Sequence, residues 1–161
     1  RTNHRVVDAI VAGWSVSNVF TYHSGLPFSA FLGSDNENIG SVGGRSPEYA
    51  ALVGDPNAIS NRTPNEWFNT KAFAIPPLYT VGNSGRNILR TDNLISDDLS
   101  LSKFWRFGEH RSFELRGEFF NLFNHANFGY PGGTVGTASF GKISSTLNPG
   151  RQVQLAAKIH F

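Results

Sequence analysis

The sequence contains no cysteine and no methionine, and only 16% of its residues carry a charged side chain. Without cysteine there is neither a disulfide framework nor a thiolate zinc site. With Arg1 in first place and no initiator methionine, the chain reads as an internal or C-terminal piece of a longer protein. The charged fraction falls well below the ~25% of ordinary soluble domains. No run of ~18 apolar residues exists, which excludes a transmembrane helix. The one early apolar run, Val6 to Ala12, is short and interrupted by Asp8, so it is not a signal peptide. A net charge of +2 gives no basis for a nucleic-acid partner or a strongly anionic surface.

Glycine (17) and phenylalanine (14) are abundant instead, and aromatics reach 13%. That balance suits an all-β structure whose outer surface meets lipid, or else a tightly packed β-sandwich. The alternation of residue types narrows the choice. At the C-terminal end, Val153, Leu155, Ala157, Ile159 and Phe161 share one face, with Gln152, Gln154, Ala156, Lys158 and His160 on the other. This is period 2 over the ~9–11 residues that a tilted membrane strand needs. Upstream, Phe113, Leu115, Gly117 and Phe119 alternate with Glu114, Arg116 and Glu118. Before that, Leu99, Leu101 and Trp105 oppose Ser100 and Ser102, while Lys103 and Phe104 break the pattern. Near a strand end, Lys103 is expected to snorkel among belt aromatics. A first strand places Trp14, Val16, Phe20 and Tyr22 together, with Asn18 as the misfit.

The pattern predicts an antiparallel meander of four strands at about 13–31, 97–105, 111–122 and 151–161. The first strand includes a bend at Ser24-Gly25-Leu26-Pro27. Residues 106–110, with Gly108, make the one short connection. Residues 32–93 and 124–150 make two long ones, rich in proline and glycine. Such loops are improbable within a compact soluble domain. They are expected of a bacterial barrel, whose turns alternate between short periplasmic and long extracellular. The order is then up, down, up, down, ending at the periplasmic side. Glu114, Arg116, Glu118, Gln152, Gln154 and Lys158 would face the lumen and the apolar rows would face lipid.

Several segments in order resemble a known family. They are Gly13-Trp14, Ser24-Gly25-Leu26-Pro27-Phe28, Gly82-Asn83-Ser84-Gly85-Arg86-Asn87, Asp98-Leu99-Ser100-Leu101-Ser102-Lys103 and Arg116-Gly117-Glu118-Phe119-Phe120-Asn121-Leu122-Phe123-Asn124-His125-Ala126-Asn127-Phe128. The set is similar to the C-terminal barrel end of TonB-dependent outer-membrane receptors, in the Oar-like group with a carboxypeptidase-regulatory-like N-terminal domain. The resemblance implies membership of a nutrient transporter of roughly 22 strands. It also implies partners in the N-terminal plug, the remaining strands, TonB, the barrel-assembly machinery and outer-membrane lipid. Phe161 resembles the terminal aromatic that the assembly machinery reads. Four strands cannot close a barrel, so this piece would not transport alone.

No catalytic constellation stands out in the sequence. His23-Ser24 would point to opposite faces of a strand, and Gly82-Asn83-Ser84-Gly85 lacks the nucleophile-elbow spacing. The five histidines show no metal-binding spacing, and no cofactor or enzymatic role is expected. Glu114 and Glu118 would stand ~13 Å apart along a strand, too far for a glycosidase pair. Asp35-Asn36-Glu37-Asn38 has the oxygen ligands calcium favours, without EF-hand spacing, and reads as a polar loop tip. Trp67, Phe68, Phe73 and Tyr79 are candidates for ligand stacking if exposed. Buried, they would give the long loop its own core, the favoured reading for so long a segment. The rival readings are a soluble β-rich module binding carbohydrate or peptide, and a small hydrolase without a recognisable motif.

Overall fold

The computed structural model describes residues 5–40 and 48–161. The chain divides into two compact units, one within Arg1–Tyr22, Ile95–Ala126 and Asn148–Phe161, the other within His23–Leu94 and Asn127–Leu147.

The first unit is a single sheet. Its strands are β1 (Trp14–His23), β7 (Leu94–Phe107), β8 (Arg111–Phe120) and β10 (Gln152–His160), in the order β1-β7-β8-β10. The strands between them in sequence, β2 to β6 and β9, belong to the second unit. Both pairings of β8 are antiparallel, with Gly117 opposite Leu101 on one side and Leu155 on the other. Alternating aromatic and β-branched residues with small polar ones favour this pleated arrangement over helix. The β7–β8 connection turns at Gly108, whose φ of +76° a side chain would resist. A short helix, α1 (Arg5–Val11), precedes β1 and was not anticipated from the sequence.

All four predicted strands are present; most ends shift by one or two residues, and two shift further. β7 starts earlier, at Leu94, and β1 stops at His23 rather than continuing to residue 31. The cause is a close approach at Gly25, where a Cβ would sit 2.1 Å from the Thr91 carbonyl oxygen. The Gly25 and Leu26 amides donate to Asn93 Oδ1 and Thr91 Oγ1, so the chain leaves the sheet.

The second unit gathers both long connections into one small body. It has three two-residue ladders. β2 (Pro27–Phe28) pairs antiparallel with β6 (Leu89–Arg90), and β4 (Ala51–Leu52) antiparallel with β5 (Phe73–Ala74). β3 (Phe31–Leu32) pairs parallel with β9 (Thr134–Val135), joining the two connections directly. The core is Ala30, Ala50, Trp67, Phe68, Ala72, Phe73, Leu89 and Ile143. Every buried hydrophobic residue among those described lies in this unit. The segments expected to be irregular loops are therefore the part with a conventional core, and the sheet is the part without one.

Two of the family-like segments owe their residue types to these contacts. In Gly82-Asn83-Ser84, a Cβ on Gly82 would lie 1.9 Å from the Tyr49 carbonyl oxygen. Asn83 Oδ1 accepts the Leu52 amide, and the Ser84 amide donates to the Ala50 carbonyl. In Asn121-Leu122-Phe123-Asn124, Asn121 and Asn124 both adopt positive φ, at 51° and 54°. Asn121 closes a turn by accepting the His125 amide and donating to its carbonyl, and Asn124 Oδ1 receives the Arg151 amide. These asparagines end β8 and set the start of β10.

Candidate functional site

The register of the sheet separates two faces without a break. On the polar face, Glu118 lies between Ser100 and Gln154, Arg116 between Ser102 and Ala156, and Glu114 between Phe104 and Lys158, while Gln152 sits opposite Phe120. All six residues predicted to share the lumen side are on this one face. Arg116 bonds Glu114 Oε1 through Nε at 2.9 Å and Nη2 at 2.6 Å, and its Nη1 lies 3.8 Å from Glu118. Glu114, with Lys158 opposite, is buried. Two carboxylates, one guanidinium and one ammonium sum to zero, so the ladder is self-neutralising and offers fixed dipoles without a strong field of one sign.

The other face carries Leu99, Leu101, Lys103, Trp105 and Phe107 on β7, then Phe113, Leu115, Gly117 and Phe119 on β8. Val153, Leu155, Ala157 and Ile159 follow on β10. No hydrophobic residue of the described sheet is buried. Apart from the patch at Lys103 and Trp105 that the end of α1 covers, this apolar face lacks a core against it and needs a non-aqueous neighbour, because in water each such side chain forfeits ~1.5–3 kcal/mol of burial. Trp105 stacks on Phe113 at 5.4 Å toward the turn end, with Phe107 beside them in the register, an aromatic cluster of the kind found at a membrane interface.

Lys103 does not snorkel. It holds the alternation, stands opposite Leu115 on the apolar face, and is only 2% exposed. Its Nζ donates to the carbonyls of Ile10 and Ala12 and lies over the rings of Trp14 and Trp105, 5.1 and 5.4 Å from their centroids. The indoles of Trp14 and Trp105 donate to the Ile10 and Ala9 carbonyls. The end of α1, where carbonyls lack helical partners and the dipole is negative, is thus closed by a cation and two indoles. Sequence pattern alone marked Lys103 as an exception without revealing this role. Asn18 is satisfied in a similar way, donating to the Asp97 carboxylate.

In the second unit, Trp67, Phe68 and Phe73 are all core residues. Phe68 packs edge-to-face on Phe28, Phe73 and Phe140 at 6.0, 5.7 and 5.2 Å. Trp67 meets Phe128 edge-to-face at 6.0 Å, so all three follow the favoured reading of a loop core and not the ligand-stacking one. Tyr79, 74% exposed, is the one of the four whose ring is open to solvent. A polar cleft of about 460 Å³ also opens in this unit, lined by Arg62, Arg90, Asp92, Asn93 and the edge of Trp67. Arg62 lies over the Trp67 ring at 5.8 Å, and no carboxylate among the described residues forms an ion pair with either arginine.

The catalytic candidates do not assemble. Ser84 Oγ is buried without a hydrogen-bond partner, histidine included. Among the described residues no group of three or more acidic or histidine side chains is placed to hold a metal ion. Phe161 follows β10 and is 94% exposed.

A sheet with one continuous apolar face, one paired polar face and no core of its own defines the wall of a membrane β-barrel. The chain belongs to the outer membrane beta barrel domain family, whose model matches residues 1–154. It resides in the bacterial outer membrane. No curated protein and no solved structure matches it.

Proposed function

We propose that this chain forms the C-terminal wall of a TonB-dependent receptor that takes up a nutrient across the outer membrane, acting as a transporter element and not as an enzyme. The observation that carries the reading is the asymmetry of the connections. One strand pair is joined by a three-residue turn, whereas both long connections join strand ends opposite that turn and share a compact body of their own. An ordered body built from the outer connections is what a receptor needs to capture ligand from outside, and a simple pore needs only a constriction. Tyr79 and the Arg62–Arg90 cleft supply ring and charge for that capture.

The edges support the same reading. β1 and β10 each present an unpaired edge of nine or ten residues. In hydrocarbon every unsatisfied backbone group costs several kcal/mol, so both edges require further strands. The partners are then the remaining barrel strands, an N-terminal plug, TonB, and the assembly machinery acting on the strand that ends in Phe161.

The test is to express the open reading frame containing this segment in a Gram-negative host and cross-link it to the periplasmic domain of TonB. Outer-membrane protein that cross-links through an N-terminal box, with loss on mutating that box, is expected. A barrel that reaches the outer membrane with no plug and no TonB contact would refute the transporter class and leave the barrel assignment standing.

A further inference from the structure

We infer that Asp35 and Glu48 form a divalent-cation site of calcium type within the second unit. Glu48 is 4% exposed, and its Oε1 is buried with no hydrogen-bond donor. Its other oxygen, Oε2, accepts the amides of Asn36 and Glu37 at 2.8 and 3.1 Å. The neighbouring carboxylate, Asp35, interacts with Glu48 and accepts the amides of Ile39 and Gly40, both at 2.9 Å. Four backbone N–H groups thus hold two acids side by side, and the oxygen left over belongs to the more deeply buried one.

A buried carboxylate is tolerated when it is paired or ligates a metal. No lysine or arginine among the described residues forms an ion pair with either group. The donors are all hard oxygens, with no imidazole or thiolate, which selects Ca²⁺ or Mg²⁺ over zinc or copper. Two protein carboxylates leave further positions for water and carbonyl oxygens. That places the affinity in the weak class of extracellular modules, roughly 0.1–1 mM.

The loop this cation would brace matters to its surroundings. Asn36 Nδ2 donates to the carbonyls of Pro76 and Pro77 at 3.2 and 3.1 Å, and the Tyr79 amide donates to the Asn36 carbonyl at 2.9 Å. The same turn therefore fixes the segment that presents Tyr79.

Terbium reads the site directly, because Tyr49 is adjacent in sequence to Glu48 and either tyrosine can sensitise it. The full chain in detergent micelles is excited in the tyrosine band while Tb³⁺ is added, then Ca²⁺ as competitor. Saturable luminescence displaced by millimolar Ca²⁺ is expected. E48Q should weaken Tb³⁺ binding by on the order of tenfold or more, since ligand charge sets the affinity of such sites. D35N should weaken it too, while E109Q, in the β7–β8 turn, should leave it unchanged. Circular dichroism and hydrogen exchange over residues 70–74 establish that each variant is folded. Should E48Q fold and bind Tb³⁺ as the parent does, or should folded parent give no saturable signal, the site is refuted.

Discussion

The substitution Phe68→Ala puts a number on the claim that the long connections are a folded body. Phe68 is the centre of an aromatic group, touching Phe28, Phe73 and Phe140, and only the Phe73–Phe140 contact at 5.7 Å survives its removal. Truncating a buried phenylalanine costs ~3–5 kcal/mol in transfer and cavity terms together. The second unit spans 72 and 21 residues in its two segments, 93 in all. At ~0.05–0.15 kcal/mol per residue its stability is roughly 5–14 kcal/mol, so the change removes about a fifth or more. A loss of ~4 kcal/mol lowers protection against hydrogen exchange by about a thousandfold where exchange needs the unit to open. Hydrogen-exchange mass spectrometry in micelles should show that loss in peptides covering Ala51–Leu52, Phe73–Ala74 and residues 140–143. Strand β8, in the other unit, should be unchanged. Phe68→Leu, closer in volume, should cost less than ~1.5 kcal/mol. If Phe68→Ala lowers protection by less than about tenfold, the segment does not fold around this core and the reasoning fails.

Three further outcomes follow from other contacts. Lys103→Met keeps the stem but leaves the Ile10 and Ala12 carbonyls without their cation, at a cost of ~2 kcal/mol; the Ala12 and Phe104 amides should exchange faster while the β8–β10 ladder holds. Arg116→Met leaves the Glu114 carboxylate without its guanidinium and should lower the urea midpoint in micelles. Adding Glu114→Gln should recover part of that loss, and strict additivity of the two changes would show that they are not coupled. Gly82→Ala drives a methyl group into the Tyr49 and Ala50 carbonyls, and should destabilise the second unit by ~1–3 kcal/mol, read as a lower thermal midpoint by Trp fluorescence.

The class of protein was legible because strand alternation is a local property. Residues two apart share a face whatever the partner strand, so Glu114, Arg116, Glu118, Gln154 and Lys158 could be grouped before any pairing was known. The short turn at Gly108 and the two long connections were legible for the same reason, since turn chemistry sits within a few residues. The stop of β1 at His23 was not, because it depends on Thr91 and Asn93, some 65 residues away. The fate of Trp67, Phe68 and Phe73 was legible only in part. Their number and spacing argued for a core, and nothing local told which rings would be spent on it and that Tyr79 would remain outside.

Lys103 marks the boundary most sharply. By itself the sequence determined that its side chain points to the apolar face, because period 2 admits no exception within a ladder without a bulge. The fold supplied the reason a cation can stay there, namely carbonyls at Ile10 and Ala12 about 90 residues earlier in the chain. Likewise, sequence alternation set the two faces of a membrane wall. Only the tertiary structure decided that the two connections would share one core, with Phe140 and Ile143 of the second packed on Phe68 and Phe73 of the first, because burial depends on which distant surfaces meet.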